Sequence, residues 1–436
     1  MIKKSIKLID FIYVYATISI TLTSVSRIFL LYCTWYFIKI AHSSQDLSLM
    51  LTILWIANTA SLLASNIISQ RYGYNNTVKI ISITVSSALI LYLIFSEFVH
   101  IKQHQNYILM LLSIIGVTLS SATAMLIPLS TPIIATASND IFSMIRRIKI
   151  LSNTFILNLL LGTFLGGLII NVYGGGSAIL VDSVLSIFGV ILSLVFYIVY
   201  PKNKLKPDSK KRNPIDQLRE GAKYVFYTPP EMVIATVSMM VNMVITPVIF
   251  LIFPVVILNG GHSIIDVSLA EVLVGVGILI SSSFLLRLTD RLLSPHNIVS
   301  LSILICTVSL VLVAFSDSII CLFFSALLIG VGLSLFNVTS NTKRALSIPE
   351  RHLPNMEGFL LFLCTASIPL GFFMTKYFLK INHIEYILFI FIGILFSAVL
   401  ISSSSKSLKS MLNDSHEEGV KYYERVYKHI FSGDMA

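Results

Sequence analysis

Apolar runs long enough to cross a bilayer recur twelve times along this chain of 436 residues, and no other feature narrows its fold as far. A hydrocarbon core roughly 30 Å thick needs about 20 consecutive apolar residues of helix to span it. Read with a window of about 19 residues, the runs lie near 11–38, 47–70, 78–98, 106–136, 150–172 and 177–200, then near 231–258, 264–286, 297–316, 318–341, 357–376 and 384–404. Lipid satisfies no backbone N–H or C=O group, so each run is expected as a helix. Charged residues are only 12% of the chain and hydrophobic ones 56%, with a mean hydropathy of +0.87. A soluble domain carries about twice that charge and is excluded.

The cations fix an orientation. The net charge is +10, but the Lys and Arg residues mark alternate loops and do not form one patch, which argues against nucleic-acid binding. With the N-terminus inside, 26 of the 31 fall in inner loops and tails, only Lys39, Lys102, Lys376 and Lys380 fall outside, and Arg27 lies within the first run. The densest group, Lys202 to Lys223, separates the sixth run from the seventh. Lys3, Lys4 and Lys7 precede a run too long for a signal-peptide core and lacking a small-residue cleavage site, so the first helix is expected to stay attached. The expected setting is the inner or plasma membrane, with both termini cytoplasmic.

The expected domains are a six-helix bundle over 1–200, a basic linker over 201–230, a second bundle over 231–404 and a helical tail over 405–436. In the linker, Asn213 suits a helix cap and Pro214 a first turn, while Ile215, Leu218, Ala222 and Val225 recur at helical spacing. This predicts a short helix, either a plain tether or an interfacial helix whose Arg219 and Lys223 meet anionic lipid. In the tail, Val420, Tyr423, Tyr427, Ile430 and Phe431 make one helical face. Cys33, Cys306, Cys321 and Cys364 all fall in apolar runs without CxxC or metal spacing and read as packing residues.

Local motifs bear on the architecture. The loop after the second run reads NIISQRYGYN, Asn66 to Asn75, in which Ile68, Arg71 and Gly73 fit a G-x-L-x-D-R-x-G-R-R pattern. Gln70 replaces its acid, and Tyr74 and Asn75 replace its cations. The equivalent second-half loop, LRLTDRLLS, matches through Leu288, Asp290 and Arg291. The fifth run holds GTFLGG, Gly162 to Gly167, and the eleventh holds SIPLG, Ser367 to Gly371. With two sets of six helices about a basic loop, these features resemble the major facilitator superfamily over residues 10–404. GTFLGG is similar to that family's antiporter signature, with Thr163 in place of its proline. The stretch VYGGGSAILVDS resembles the drug- and siderophore-efflux branches. The resemblance implies a monomeric transporter without cofactors that binds small molecules and protons, alternates access, and uses Arg71, Gly73, Asp290 and Arg291 with Gly162, Gly166 and Gly167 for gating. The alternatives for these residues are topogenic charge and close helix packing.

The resemblance also places the first, fourth, seventh and tenth runs around the cargo, and each carries a polar stripe at helical spacing. The stripes are Ser19, Thr23, Arg27 and Thr34; Ser113, Gly116, Ser120 and Thr123; Ser238, Asn242 and Thr246; and Gly330, Ser334, Asn337 and Asn341. From these, Arg27, Ser120, Asn242, Thr246, Asn337 and Asn341 are expected to contact cargo, although small polar residues also serve helix packing. Arg27 is the sharpest of them, since a central arginine costs about 2.5–3.5 kcal/mol to insert and so faces water, an acid or an anionic cargo group. Asp182 and Glu271 are the buried acids expected to couple protons, with a structural hydrogen-bonded acid as the alternative. Glu357, near the start of the eleventh run, is expected to favour the helix dipole.

The absence of GxxxxGK[ST] excludes a nucleotide-driven pump of that type. The lack of HExxH, paired catalytic acids or a Ser-His arrangement argues against an enzyme. Export of a small amphipathic molecule (a drug, siderophore or peptide antibiotic) by proton antiport is the leading expectation, with membrane lipid as the surrounding partner. A proton-coupled uptake symporter and a non-transporting sensor with the tail as its output are the rivals. The charge count predicts that a fluorescent protein fused after Ala436 glows in the cytoplasm and that a phosphatase fused there stays inactive; the reverse pair of signals would invert the topology.

Overall fold

The computed structural model describes residues 11–101, 105–137, 161–200, 214–316, 318–349, 351–380, 383–414 and 421–431. Every regular element among them is a helix. In order these are α1 (Phe11–Ile40), α2 (Ser44–Tyr72), α3 (Tyr74–Ile101), α4 (Gln105–Ala124), α5 (Leu126–Ala137), α6 (Leu161–Tyr173), α7 (Gly175–Val199), α8 (Pro214–Tyr227), α9 (Pro229–Asn259), α10 (Ile264–Leu292), α11 (Pro295–Phe315), α12 (Ile319–Ser347), α13 (Leu353–Lys380), α14 (Ile384–Ser404), α15 (Lys406–Leu412), α16 (Tyr422–Val426) and α17 (Lys428–Phe431). Eleven spans, one of them running through α4 into α5, are long and apolar enough to cross a membrane. The shorter apolar α6 carries the fifth predicted run, whose first part lies outside the described residues. The twelve-run reading thus agrees with the fold, and the described boundaries lie close to their expected places except that the helices expected to end near 286 and 341 run on to Leu292 and Ser347.

The chain divides into two compact units, one of Met1–Lys211 with Pro254–Val272 and one of Arg212–Phe253 with Leu273–Ala436. In the first, α1 packs on α4 and α7, and α3 on α4 and α7. Phe11 and Tyr15 meet Phe196 near one end, and Phe29 and Tyr32 meet Tyr92 nearer the other. The fourth run is interrupted at Met125, close to Pro128 and Pro132, which lack N–H donors. Neighbouring helices donate at this break: Ser65 to Met125 O at 2.9 Å and Tyr15 to Leu126 O at 2.6 Å. This is how an apolar medium tolerates a broken helix.

In the second unit α11 packs on α12 and α14, and α13 on α8 and α9. Small residues set the closest approaches. A Cβ on Gly330 would overlap the Val274 carbonyl, one on Gly277 the Leu327 carbonyl, and one on Gly371 the Met243 carbonyl. Gly330, expected in a cargo stripe, is therefore a crossing point between α10 and α12. The cysteines are free, with Cys33 and Cys306 buried, as packing residues should be.

The linker helix forms as α8, but its inner side rests on protein: Val225 is fully buried, and Gly221 lies against the Asn355 carbonyl of α13. Ile215, Arg219, Lys223, Phe226 and Tyr227 are exposed. The Asn213 cap and the cations from Lys202 to Arg212 lie outside the described residues. The tail face is buried at Tyr423, Ile430 and Phe431, but Tyr427 interrupts the helix, giving α16 and α17 in place of one rod; Val420 lies outside the described residues. Glu357 corrects another expectation. It sits past the first turn of α13 and pairs with Arg344 at 2.9 Å, so a guanidinium and not a helix dipole holds it.

Replacing Gly330 by Leu should destabilise the purified protein by about 1–3 kcal/mol or more through overpacking, seen as a lower thermal midpoint. An unchanged midpoint would mean that α10 and α12 do not meet there.

Candidate functional site

The first unit brings together three features that lie far apart in sequence. Arg27 is in the middle of α1, Thr163 is on α6, and Glu271 is on the part of α10 that belongs to this unit. Glu271 and Thr163 are buried. Thr163 Oγ1 donates to Glu271 Oε2 at 3.3 Å, and the Arg27 guanidinium lies within electrostatic reach of the same carboxylate.

Local sequence explains how they meet. Thr163, Gly166 and Gly167 fall on one face of α6, three and four residues apart. A Cβ on Gly166 would press on Ile28, next to Arg27, and one on Gly167 would overlap Ser268, one turn before Glu271. The glycines let α6 approach both α1 and α10, and the threonine between those contacts reaches the acid. The residue that departs from the antiporter signature is thus the one that donates to Glu271. Nearby, Lys39 donates to the Leu258 carbonyl.

Asp182 is set differently. It is fully buried on α7, its electrostatic neighbour is Cys33 of α1, and neither carboxylate oxygen has a hydrogen-bond partner among the described residues. The expected structural hydrogen bond is therefore not seen among the described residues, and an ionised carboxylate there would have no hydrogen-bond donor among them.

The other expected site residues are more dispersed. Ser120 accepts from Asn58 Nδ2 at 3.0 Å. Asn242 donates to the Ser238 carbonyl of its own helix at 2.9 Å. Thr246 is half-buried, and Asn337 and Asn341 are exposed. Gly162 is buried. Gly73 ends α2 with φ +81°, a conformation glycine adopts without strain. Arg71 is exposed over the neighbouring Tyr72 ring, and Asp290 and Arg291 are exposed at the end of α10; none of the three makes a salt bridge to a described residue.

Sequence reasoning missed a second buried charge cluster, in the other unit. Arg344 of α12 is fully buried and contacts Glu231 of α9 through Nε at 3.0 Å to each oxygen and through Nη2 at 2.7 Å. Its Nη1 reaches Glu357 of α13, and Tyr423 of α16 donates to Glu231 Oε1 at 2.7 Å. Arg344 had been counted only as an inner-loop cation. The available signal was Glu231, an acid lodged in the apolar start of the seventh run.

Residues 13–371 match the Major Facilitator Superfamily, and the chain belongs to that family: it is a multi-pass membrane transporter. No curated protein matches the sequence. Among solved structures, a mutant of the nucleoside transporter NupG is similar at a TM-score of 0.65 and 13% identity, over 90% of this chain and 98% of that one. A bacterial homolog of the human lysosomal transporter Spinster is similar in two inward-facing structures. The occupied one has a TM-score of 0.63 and 12% identity, over 90% of this chain and 95% of that one. The unoccupied one has a TM-score of 0.64 and 13% identity, over 96% and 98%. At these identities the likeness is one of fold. The earlier resemblance is upheld at the level of the superfamily.

Losing the Arg27 guanidinium leaves the buried Glu271 carboxylate with less compensation, at a cost of about 1–3 kcal/mol. Arg27→Ala should therefore lower the thermal midpoint of the purified protein, and adding Glu271→Gln to it should restore most of the loss. A double variant no more stable than Arg27→Ala would uncouple the two residues.

Proposed function

We propose that this protein is a proton-coupled exporter of a small amphipathic molecule (a drug, a siderophore or a peptide antibiotic), acting as a monomer in the plasma membrane with both termini in the cytoplasm. In this reading the halves 1–200 and 231–404 rock about a midplane site, and Arg71, Gly73, Asp290 and Arg291 gate the inner side. The observation that carries the reading is the meeting of Arg27, Glu271 and the GTFLGG segment. An intramembrane ionisable group marks an ion or substrate path by default, and here two such groups, on α1 and α10, flank the antiporter-like α6.

Antiport requires that proton and cargo compete for one group. Glu271 suits that role: a cargo donor or basic nitrogen takes the place of Arg27 or Thr163 at the carboxylate, and a proton entering from outside expels it. Asp182, without a hydrogen-bond partner among the described residues, is suited to pass the proton. Ser120, Asn242, Thr246, Asn337 and Asn341 are assigned to the apolar and polar walls of the cargo path.

Arg27 supports a second reading. A cargo carboxylate bound to its guanidinium frees Glu271 to accept a proton, so cargo and proton then bind together. That sign of coupling is symport, and it makes the protein an importer of acidic molecules. The charge of the cargo thus decides the direction.

The test is accumulation of labelled macrolide, siderophore and peptide antibiotic in cells with and without the protein, with an uncoupler and Arg27→Ala alongside. Export predicts lower accumulation in expressing cells, restored by the uncoupler and by the variant. Gradient-driven accumulation abolished by Asp182→Asn or Glu271→Gln would establish import, and equal levels in all arms would remove both readings.

A further inference from the structure

The second unit carries a built site that the transport reading does not use, and the tail of the chain already occupies it. Its floor is the buried Glu231–Arg344 pair. Arg344 takes both oxygens of Glu231, leaving Oε1 able to accept one further donor, and the Tyr423 hydroxyl fills that position at 2.7 Å. Tyr423 is fully buried although it belongs to a helix of only five residues. Burial, and then Glu231, hold its phenol well above the usual range, so it remains a donor.

The walls of this site are aromatic. Phe431 stacks on Tyr224 of α8 at 5.3 Å between ring centroids and on Tyr423 at 5.7 Å, and meets the His352 ring at 5.4 Å. The Phe431 carbonyl accepts from Arg351. The approach is tied by Tyr422 to Ser410 and by Arg425 to Asp414, while Asn413 accepts from the His296 backbone. The segment thus touches α8, α9 and the α12–α13 junction at once, but its two short helices have too few turns to be stable alone.

We propose that residues Lys421–Phe431 are a detachable clasp. Tyr423 completes the Glu231–Arg344 pair, and the bound segment holds together the ends of α9, α12 and α13 at which Glu231, Arg344 and Glu357 lie. When it leaves, the bundle stays folded, but the ion pair loses its third partner and is opened to water. The clasp is a peptide ligand carried by the chain itself, and it is recognised by one phenol and one stacked ring.

Lys421, Arg425 and Lys428 make the state of the clasp readable by trypsin in the detergent-purified full chain. A hydrogen bond to a buried charged group shifts an opening equilibrium about tenfold or more, and cleavage follows that equilibrium when opening is fast. Tyr423→Phe should therefore be cut within 421–428 about tenfold faster than the parent, with the thermal midpoint of the bundle unchanged. Phe431→Leu, which removes the stacked ring and leaves the Glu231–Arg344 pair intact, should likewise be cut faster with the midpoint unchanged. Equal cleavage of the parent and both variants would overturn the clasp. So would faster cleavage accompanied by a collapse of the thermal midpoint, since the tail would then be an integral part of the bundle.

Discussion

Hydrocarbon offers no hydrogen bonds and almost no dielectric screening, and the rest of this structure follows from that constraint. Backbone groups close on themselves as helices. Where the helix breaks at Met125, Ser65 and Tyr15 donate to the Met125 and Leu126 carbonyls. Buried charge is treated in the same way: Arg27 lies near Glu271, and Arg344 draws in two glutamates and, through Glu231, a tyrosine from the tail. Asp182 is the departure, an acid in the core with no hydrogen-bond partner among the described residues.

The fold was legible because its signal is local. A run of about 20 apolar residues needs no tertiary knowledge to be read as a span, and Arg27, Asp182 and Glu271 were visible as charges inside such runs. Their pairing was not legible, since Arg27, Thr163 and Glu271 come from three helices and only packing determines that α6 passes between the other two. Glu357 misled for a related reason: an acid near a helix start has a sufficient local explanation, and the partner that overrides it, Arg344, lies on another helix. The polar stripes were real as periodicities, but a stripe does not say what it faces, and Gly330 faces a neighbouring helix. The tail's apolar face was read correctly while its shape was not, because one hydrophobic period suits a continuous helix and a broken one equally well.

The two charge clusters contrast in a way that bears on mechanism. Glu231 receives a bidentate guanidinium contact and a phenol at hydrogen-bonding distances of 2.7–3.0 Å, whereas Glu271 receives one threonine at 3.3 Å. A saturated carboxylate stays as it is; one held by a long single hydrogen bond and a nearby cation can exchange partners. The looser of the two is the one that faces the GTFLGG helix, through Thr163.

Residues Val248–Ile252 of α9 form a π turn between Pro247 and Pro254, and the division between the two units falls just after it, at Phe253 and Pro254. A π turn inserts an extra residue into the i→i+4 ladder and widens the helix there. Ahead of it, the Met239 and Met243 carbonyls face Ser367 and Gly371 of α13. The rod is thus held tightly at a glycine crossing and wound loosely directly after it.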